Sequence, residues 1–200
     1  IDHNTALEAD SRGIWISDSD GNTVKSNSVT TTNGTGIHLS GTSGGNTIQG
    51  NDASHSKYGI LAESSGQANK YLGNNVSYTI GWGMTIWNDT QFVLDEYNNF
   101  DYSGSGLLLS DMSGPLTLDG SRIPVDLTTA GNLGYQPALE LNSVTEVTVD
   151  GLDLSGDRGT QHGVGLIVEG GSTITVQNVD ASSFASWWFQ VWYRLRYRDK

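Results

Sequence analysis

The sequence predicts an all-β chain wound as a right-handed parallel β-helix of roughly eight coils, each of about 23 residues with three short strands, and three observations carry that prediction. A Gly-led segment recurs as Gly13-Ile14-Trp15-Ile16, Gly36-Ile37-His38-Leu39, Gly59-Ile60-Leu61-Ala62, Gly83-Met84-Thr85-Ile86 and Gly106-Leu107-Leu108-Leu109, at steps of 23 or 24 residues. A column of Asn27, Asn51, Asn74 and Asn98 follows the same period, each two residues before an apolar position. The remaining residues of each repeat leave no room for the helices of ankyrin or tetratricopeptide repeats, and the Leu-x-x-Leu-x-Leu spacing of leucine-rich repeats is missing.

The first element of each repeat alternates, so Ile14 and Ile16 face inward and Trp15 outward. A second element reads Asn22-Thr23-Val24, Asn46-Thr47-Ile48, Asn69-Lys70-Tyr71 and Gln91-Phe92-Val93, and a third is built around Val29, Ala53, Val76 and Phe100. One coil buries only a few side chains and becomes stable when its neighbours pair with it, giving a rod about 35–40 Å long at ~4.8 Å per coil. The Asn column fits that stacking, because amides can hydrogen-bond from coil to coil and Asn tolerates a tight corner.

The whole chain, residues 1–200, reads as one domain with two irregular parts. Between Gly106 and Ala138-Leu139-Glu140-Leu141 the step is 32 residues, the excess falling in an inserted loop at 122–137 that either shapes a binding face or is a neutral excursion. Residues 184–200 form an aromatic and basic terminal coil or cap. Val191, Tyr193, Leu195 and Tyr197 alternate with Trp192, Arg194, Arg196 and Arg198 as in a strand, although Phe184, Trp187, Trp188 and Val191 also fit helical spacing. At the other end, Asn4-Thr5-Ala6 matches Asn27-Ser28-Val29, so the chain opens within a coil. An open edge needs cover, which predicts a segment of a longer polypeptide with other domains at the helix ends.

A net charge of −12, with ten Lys and Arg of which four lie among the last seven residues, argues against nucleic-acid binding. Zero Cys excludes disulfides, Cys-based zinc sites and a thiol nucleophile. No run reaches the ~18 apolar residues of a membrane span.

Outward positions of successive coils should line up as a strip, reading Trp15 with Ser17, His38 with Ser40, Leu61 with Glu63, Thr85 with Trp87, and Leu108 with Ser110. Corner segments add His55, Lys57 and Tyr58, then Tyr78 and Trp82, then Asp101 and Tyr102. Sugar rings stack on aromatic faces while carboxylates take their hydroxyls, so Trp15, His38, Tyr58, Trp82, Trp87, Asp101 and Tyr102 are the expected polysaccharide contacts. For catalysis, Glu63 and Asp89 are a candidate hydrolase pair, and Lys57, His55 and Tyr78 are candidate bases for a uronate lyase or epimerase. An anionic polymer would be repelled by this chain unless Ca²⁺ bridged it. Asp18-Ser19-Asp20-Gly21-Asn22 reads either as a Ca²⁺ loop with Asp18 and Asp20 as ligands or as a plain turn like Thr42-Ser43-Gly44-Gly45-Asn46; no other cofactor is indicated.

The Gly-Ile-x-Leu segment, its Ser/Thr/Gly-rich turn, Asn-Thr-Ile and the later Asn resemble the parallel β-helix repeat of NosD-type periplasmic proteins and carbohydrate-processing surface proteins, closely over residues 2 to about 110 and loosely over 111–191. The resemblance implies an extracellular or cell-envelope protein that binds or cuts polysaccharide, in the manner of polysaccharide lyases, C5-epimerases and polygalacturonase-like hydrolases. Of the polygalacturonase motifs only Gln161-His162-Gly163 resembles its counterpart; Asp150 and Asp153 do not reproduce the acid pair, and Asp2-His3-Asn4 only echoes the Asp-Pro-His of mannuronan epimerases. The alternative to a polysaccharide-active face is a structural spacer or adhesin segment whose helix serves as a stiff rod.

Overall fold

The computed structural model describes residues 1–30, 33–64, 66–130, 136–154, 164–181 and 187–192. Among them are fifteen strands, every pairing parallel, and no helix. One sheet runs through all the coils, built from β1 (Arg12–Ser17), β3 (Thr35–Gly41), β5 (Tyr58–Ser64), β7 (Trp82–Trp87), β9 (Ser105–Ser110), β11 (Pro137–Asn142), β13 (Val164–Glu169) and β15 (Trp187–Trp192) in that order. A second side carries β2 (Thr23–Lys25), β4 (Thr47–Gln49), β6 (Lys70–Leu72) and β8 (Val93–Leu94), and beyond the insertion a separate sheet of β10 (Ser113–Leu118), β12 (Thr145–Asp150) and β14 (Thr175–Gln177).

The alternation in the long sheet fixes which side is core. Ile14 and Ile16 are stacked on Ile37 and Leu39, then Ile60 and Ala62, and onward to Leu107 and Leu109, all buried. Burying this surface drives the winding, because no coil can enclose it alone. The glycine that opens each first strand is there for space. A Cβ on Gly36 would sit 2.8 Å from Ala53 Cβ, and one on Gly83 would sit 2.8 Å from Phe100 Cδ1, so the inward residue of the third element occupies that volume.

Two expectations change. The third element is narrower than a strand: Thr5, Ser28, Asp52, Asn75 and Asn99 pair as single bridges. Corner residues around them bend the chain, since His55, Tyr78 and Tyr102 adopt φ of 56°, 55° and 54°, outside the range of a continuing strand. The second element of the fourth repeat is shifted by one residue, with Leu94 rather than Val93 paired to Tyr71 and buried. A one-residue slip exchanges the two faces, so Val93 is exposed.

The Asn column forms as expected. Asn27, Asn51 and Asn74 each donate their backbone N–H and their side-chain Nδ2 to the Oδ1 of the Asn one coil on, at 2.9 to 3.1 Å. A second ladder, through Asn22, Asn46 and Asn69, runs beside it in the same manner. The described part of the inserted loop is no neutral excursion: Ile123, Val125, Leu127 and Ala130 are buried, and Ala130 Cβ would lie 3.0 Å from a Cβ on Gly106. Ala130 thus takes the place that Val29, Ala53, Val76 and Phe100 hold in the earlier coils. Arg122 stacks its guanidinium 4.3 Å above the Phe92 ring and donates to Thr90 O, closing the core over β8. The terminal aromatic segment enters the long sheet as β15, which favours the strand over the helix; Arg194, Arg196 and Arg198 lie outside the described residues, as do Gln161, His162 and Gly163.

Candidate functional site

The outer face of the long sheet brings together residues far apart in sequence. Register places Trp15, His38, Leu61 and Thr85, then Leu108, Glu140 and Ile167, in one column. Beside it run Ser17, Ser40 and Glu63, and then Trp87, Ser110, Asn142 and Glu169. Trp15 is 57% exposed and Trp87 36%, and three coil steps of ~4.8 Å separate them by about 14 Å along the stacking direction.

At the upstream end the contacts are polar and close. Trp15 Nε1 donates to Ser40 Oγ at 2.8 Å, Arg12 lies 4.7 Å from the centre of the Trp15 ring, and Arg12 Nε donates to His38 Nδ1 at 2.5 Å. His38 Nε2 lies 3.1 Å from Glu63 Oε2. His38 therefore occupies an outward position yet is 3% exposed, with both ring nitrogens engaged. Burial, then the neighbouring Arg12 charge, push its pKa below the ordinary histidine value against the pull of Glu63. Trp15, Arg12 and Ser17 remain exposed here and Glu63 partly so, with Arg12 lying over the Trp15 ring and His38 engaging Glu63 Oε2.

His55, Tyr78 and Tyr102 lie at a corner, outside the strands of that sheet. His55, Tyr78 and Tyr102 stack on one another, with ring centres 5.1 and 5.3 Å apart. Stacking uses both faces of Tyr78 and one face each of His55 and Tyr102, while Tyr78 and Tyr102 remain about half exposed. Lys57 is exposed with its ammonium 5.5 Å from the Tyr58 ring, and Tyr58 and Trp82 are half-buried at the starts of β5 and β7. Asp101 accepts from Thr129 Oγ1 at 2.7 Å, tying the inserted loop to this corner.

Asp89 corrects the proposed acid pair. It is 1% exposed at the end of the second Asn ladder, where its Oδ1 accepts the N–H groups of Ala68 and Gln91 and its Oδ2 accepts the backbone and side-chain amides of Asn69. Four donors hold the carboxylate as a turn anchor, so it cannot serve Glu63 as a second catalytic acid at an open face. Asp18 and Asp20 accept the N–H groups of Thr42 and Gly44 of the next coil, at 3.3 and 2.7 Å, so one oxygen of each carboxylate ties two coils together. Among the described residues, no three His, Cys, Asp or Glu side chains are grouped as metal ligands.

A carboxylate pair that sequence reading missed lies farther along the same face. Glu140 is half-buried, with Asn142 on its own strand and Glu169 opposite Asn142 on the next. Desolvation, then the Glu169 charge, push the Glu140 pKa up to about 7, opposed by a hydrogen bond from Asn142. The irregular coil hid this pair, because the 27-residue step from Leu139 to Leu166 departs from the period. A raised carboxyl pKa means that the folded state binds the proton more tightly than the unfolded chain. The stability Glu140 provides is thus complete below its ordinary value near 4.5 and is lost as the pH rises through about 7. Between about pH 5 and pH 8 the wild type should lose about 1–2 kcal/mol relative to Glu140→Gln, after allowance for solvent screening. Equal pH dependence in urea denaturation of the two proteins would show that Glu140 titrates normally.

Comparison with known proteins bears on the fold. Residues 1–77 match the family model of the right-handed β-helix region. No curated protein and no solved structure matches the chain. The β-helix match spans β1 to β6, and the long sheet carries the same winding through β15 without a break in strand order.

Proposed function

We propose that the outer face of the long sheet binds polysaccharide, as part of an extracellular or cell-envelope protein, and that cleavage of the lyase or hydrolase type is the activity to seek on it. The observation that carries this reading is the pairing of two exposed indoles, Trp15 and Trp87, with Glu63, Asn142, Glu140 and Glu169 on one flat face. Aromatic platforms take the apolar faces of sugar rings, and acids and amides take their hydroxyls. The net charge of −12 favours a neutral polymer over a uronate, which would need Ca²⁺ as a bridge. The rod reading has its own support in the self-stacked His55, Tyr78 and Tyr102 and in the two Asn ladders, which tie each coil to the next and stiffen the solenoid.

Affinity gels and a glycan array with neutral and uronate polysaccharides, each with and without Ca²⁺, separate these readings. Trp15→Ala and Trp87→Ala should each weaken binding about tenfold, equivalent to ~1.4 kcal/mol. Tyr97→Ala, at a side chain 73% exposed after β8, should leave it unchanged. An ultraviolet-absorbing unsaturated product would identify a lyase, and new reducing ends without that absorbance a hydrolase. Absence of binding to every polymer would leave the rod.

A further inference from the structure

Arg12, His38 and Glu63 form a polar chain across β1, β3 and β5, the first three strands of the long sheet. The direction of each bond follows from its chemistry. A guanidinium can only donate, so His38 Nδ1 accepts from Arg12 and the single proton of the neutral ring must sit on Nε2, where it donates to Glu63 Oε2. Trp15 lies over the same arrangement, its ring stacked with His38 at 6.4 Å and 16° and with Arg12 4.7 Å from its centre. The Arg12 and Trp15 side chains of β1 are thereby gathered onto one buried imidazole, and among the described residues β1 pairs in the sheet with β3.

We propose that His38 is a proton-operated latch, fastening the outer side of β1 to the solenoid while the ring is neutral and releasing it when the ring takes a second proton. That proton can go only to Nδ1, which converts the acceptor facing Arg12 into a donor and sets two cations against each other across a 2.5 Å contact. The charged residues of the three strands are Arg12, His38 and Glu63; Tyr58 is their other titratable side chain, at the register level of Thr35. Glu63 favours the imidazolium and Arg12 opposes it; both touch the ring and both are open to water, so their opposed pulls are weakened alike and the burial of the ring decides against the second proton. Burial acts in the same direction as Arg12, and the depressed pKa agrees with this balance. With the folded value below the unfolded one, the latch is fully present above the ordinary histidine pKa of about 6.5 and is lost as the pH falls from there through the folded value. Trp15 heads the strip proposed above, so the latch would regulate that strip; its test needs no polysaccharide and stands if that reading fails.

Hydrogen exchange of the intact chain near pH 7.5 and near pH 5, corrected for intrinsic rates, reads the latch directly. Amides of β1 should lose about fivefold or more of their protection at the lower pH, while those of β9 keep theirs. His38→Gln preserves both bonds, its carbonyl accepting from Arg12 and its amide donating to Glu63, and cannot titrate. In that variant β1 should stay protected at both pH values. Protection of β1 that is independent of pH in the wild type, or an equal loss in His38→Gln, would overturn the proposal. Should the variant not fold, long-range proton–nitrogen NMR of the wild-type imidazole decides the matter: the latch requires the Nε2–H tautomer and titration below the ordinary histidine value. An Nδ1–H tautomer, or titration at or above that value, would overturn it.

Discussion

Alanine at Gly59 should cost about 3 kcal/mol or more, whereas alanine at Gly50 should cost about 1 kcal/mol. The two glycines serve different purposes. Gly50 has φ of 59° and nothing within 4 Å of the position its Cβ would take, so alanine there meets only the left-handed backbone penalty. Gly59 has an ordinary φ, but its Cβ would sit 2.8 Å from both Val76 Cβ and Cγ1 and would also run into the carbonyl oxygen of Gly83 in the next coil. Val76→Ala removes the Cγ1 contact but keeps the Cβ, and the carbonyl belongs to the sheet and cannot move without parting two coils. Val76→Ala combined with Gly59→Ala should therefore recover only part of the loss. Urea denaturation of the four proteins tests this, and full recovery in the double variant would show that the Val76 Cγ1 contact alone excludes a Cβ.

Asn74→Ala should cost about 3 kcal/mol, lowering Tm by about 6–12 °C in a chain of this size. Asn74 Oδ1 accepts from the backbone N–H and the Nδ2 of Asn51, and its own Nδ2 donates to Ile48 O and Asn98 Oδ1, all in a fully buried setting. Truncation leaves the Asn51 amide without its acceptor and water cannot reach it, so the cost is that of a buried unpaired group. Asn99→Ala is the control. Its Oδ1 accepts the Asp101 N–H at 2.8 Å on an exposed corner where water can substitute, and about 0.5 kcal/mol is expected. Equal losses for the two variants would mean that the ladder is an ornament of the winding and does not stabilise it.

The same contrast explains what could be read from the residues alone. Period and parity identified the buried columns from Ile14 to Leu109 and the Asn ladder from Asn27 to Asn98, because a solenoid turns positions 23 or 24 residues apart into contacts. The second ladder escaped notice since its last member is Asp89, whose carboxylate accepts the same amides that an Asn would. Its single charge suggested chemistry, and its burial under four donors removed that role. Glu140 was passed over for the opposite reason: it stands on the first strand after the insertion, where the repeat no longer says which residue it faces.

The sequence by itself determined the winding, the inward face of each first strand and the line of outward positions, since these follow from a repeat length and an alternation that every coil restates. Only the tertiary structure decided what those outward positions do. His38 and Trp15 are both outward by parity, yet one is buried at 3% and the other exposed at 57%. Parity states which way a side chain leaves the backbone; whether it stays in water depends on how far Arg12, Trp15 and Glu63 reach across from neighbouring coils, and side-chain reach between coils is not periodic.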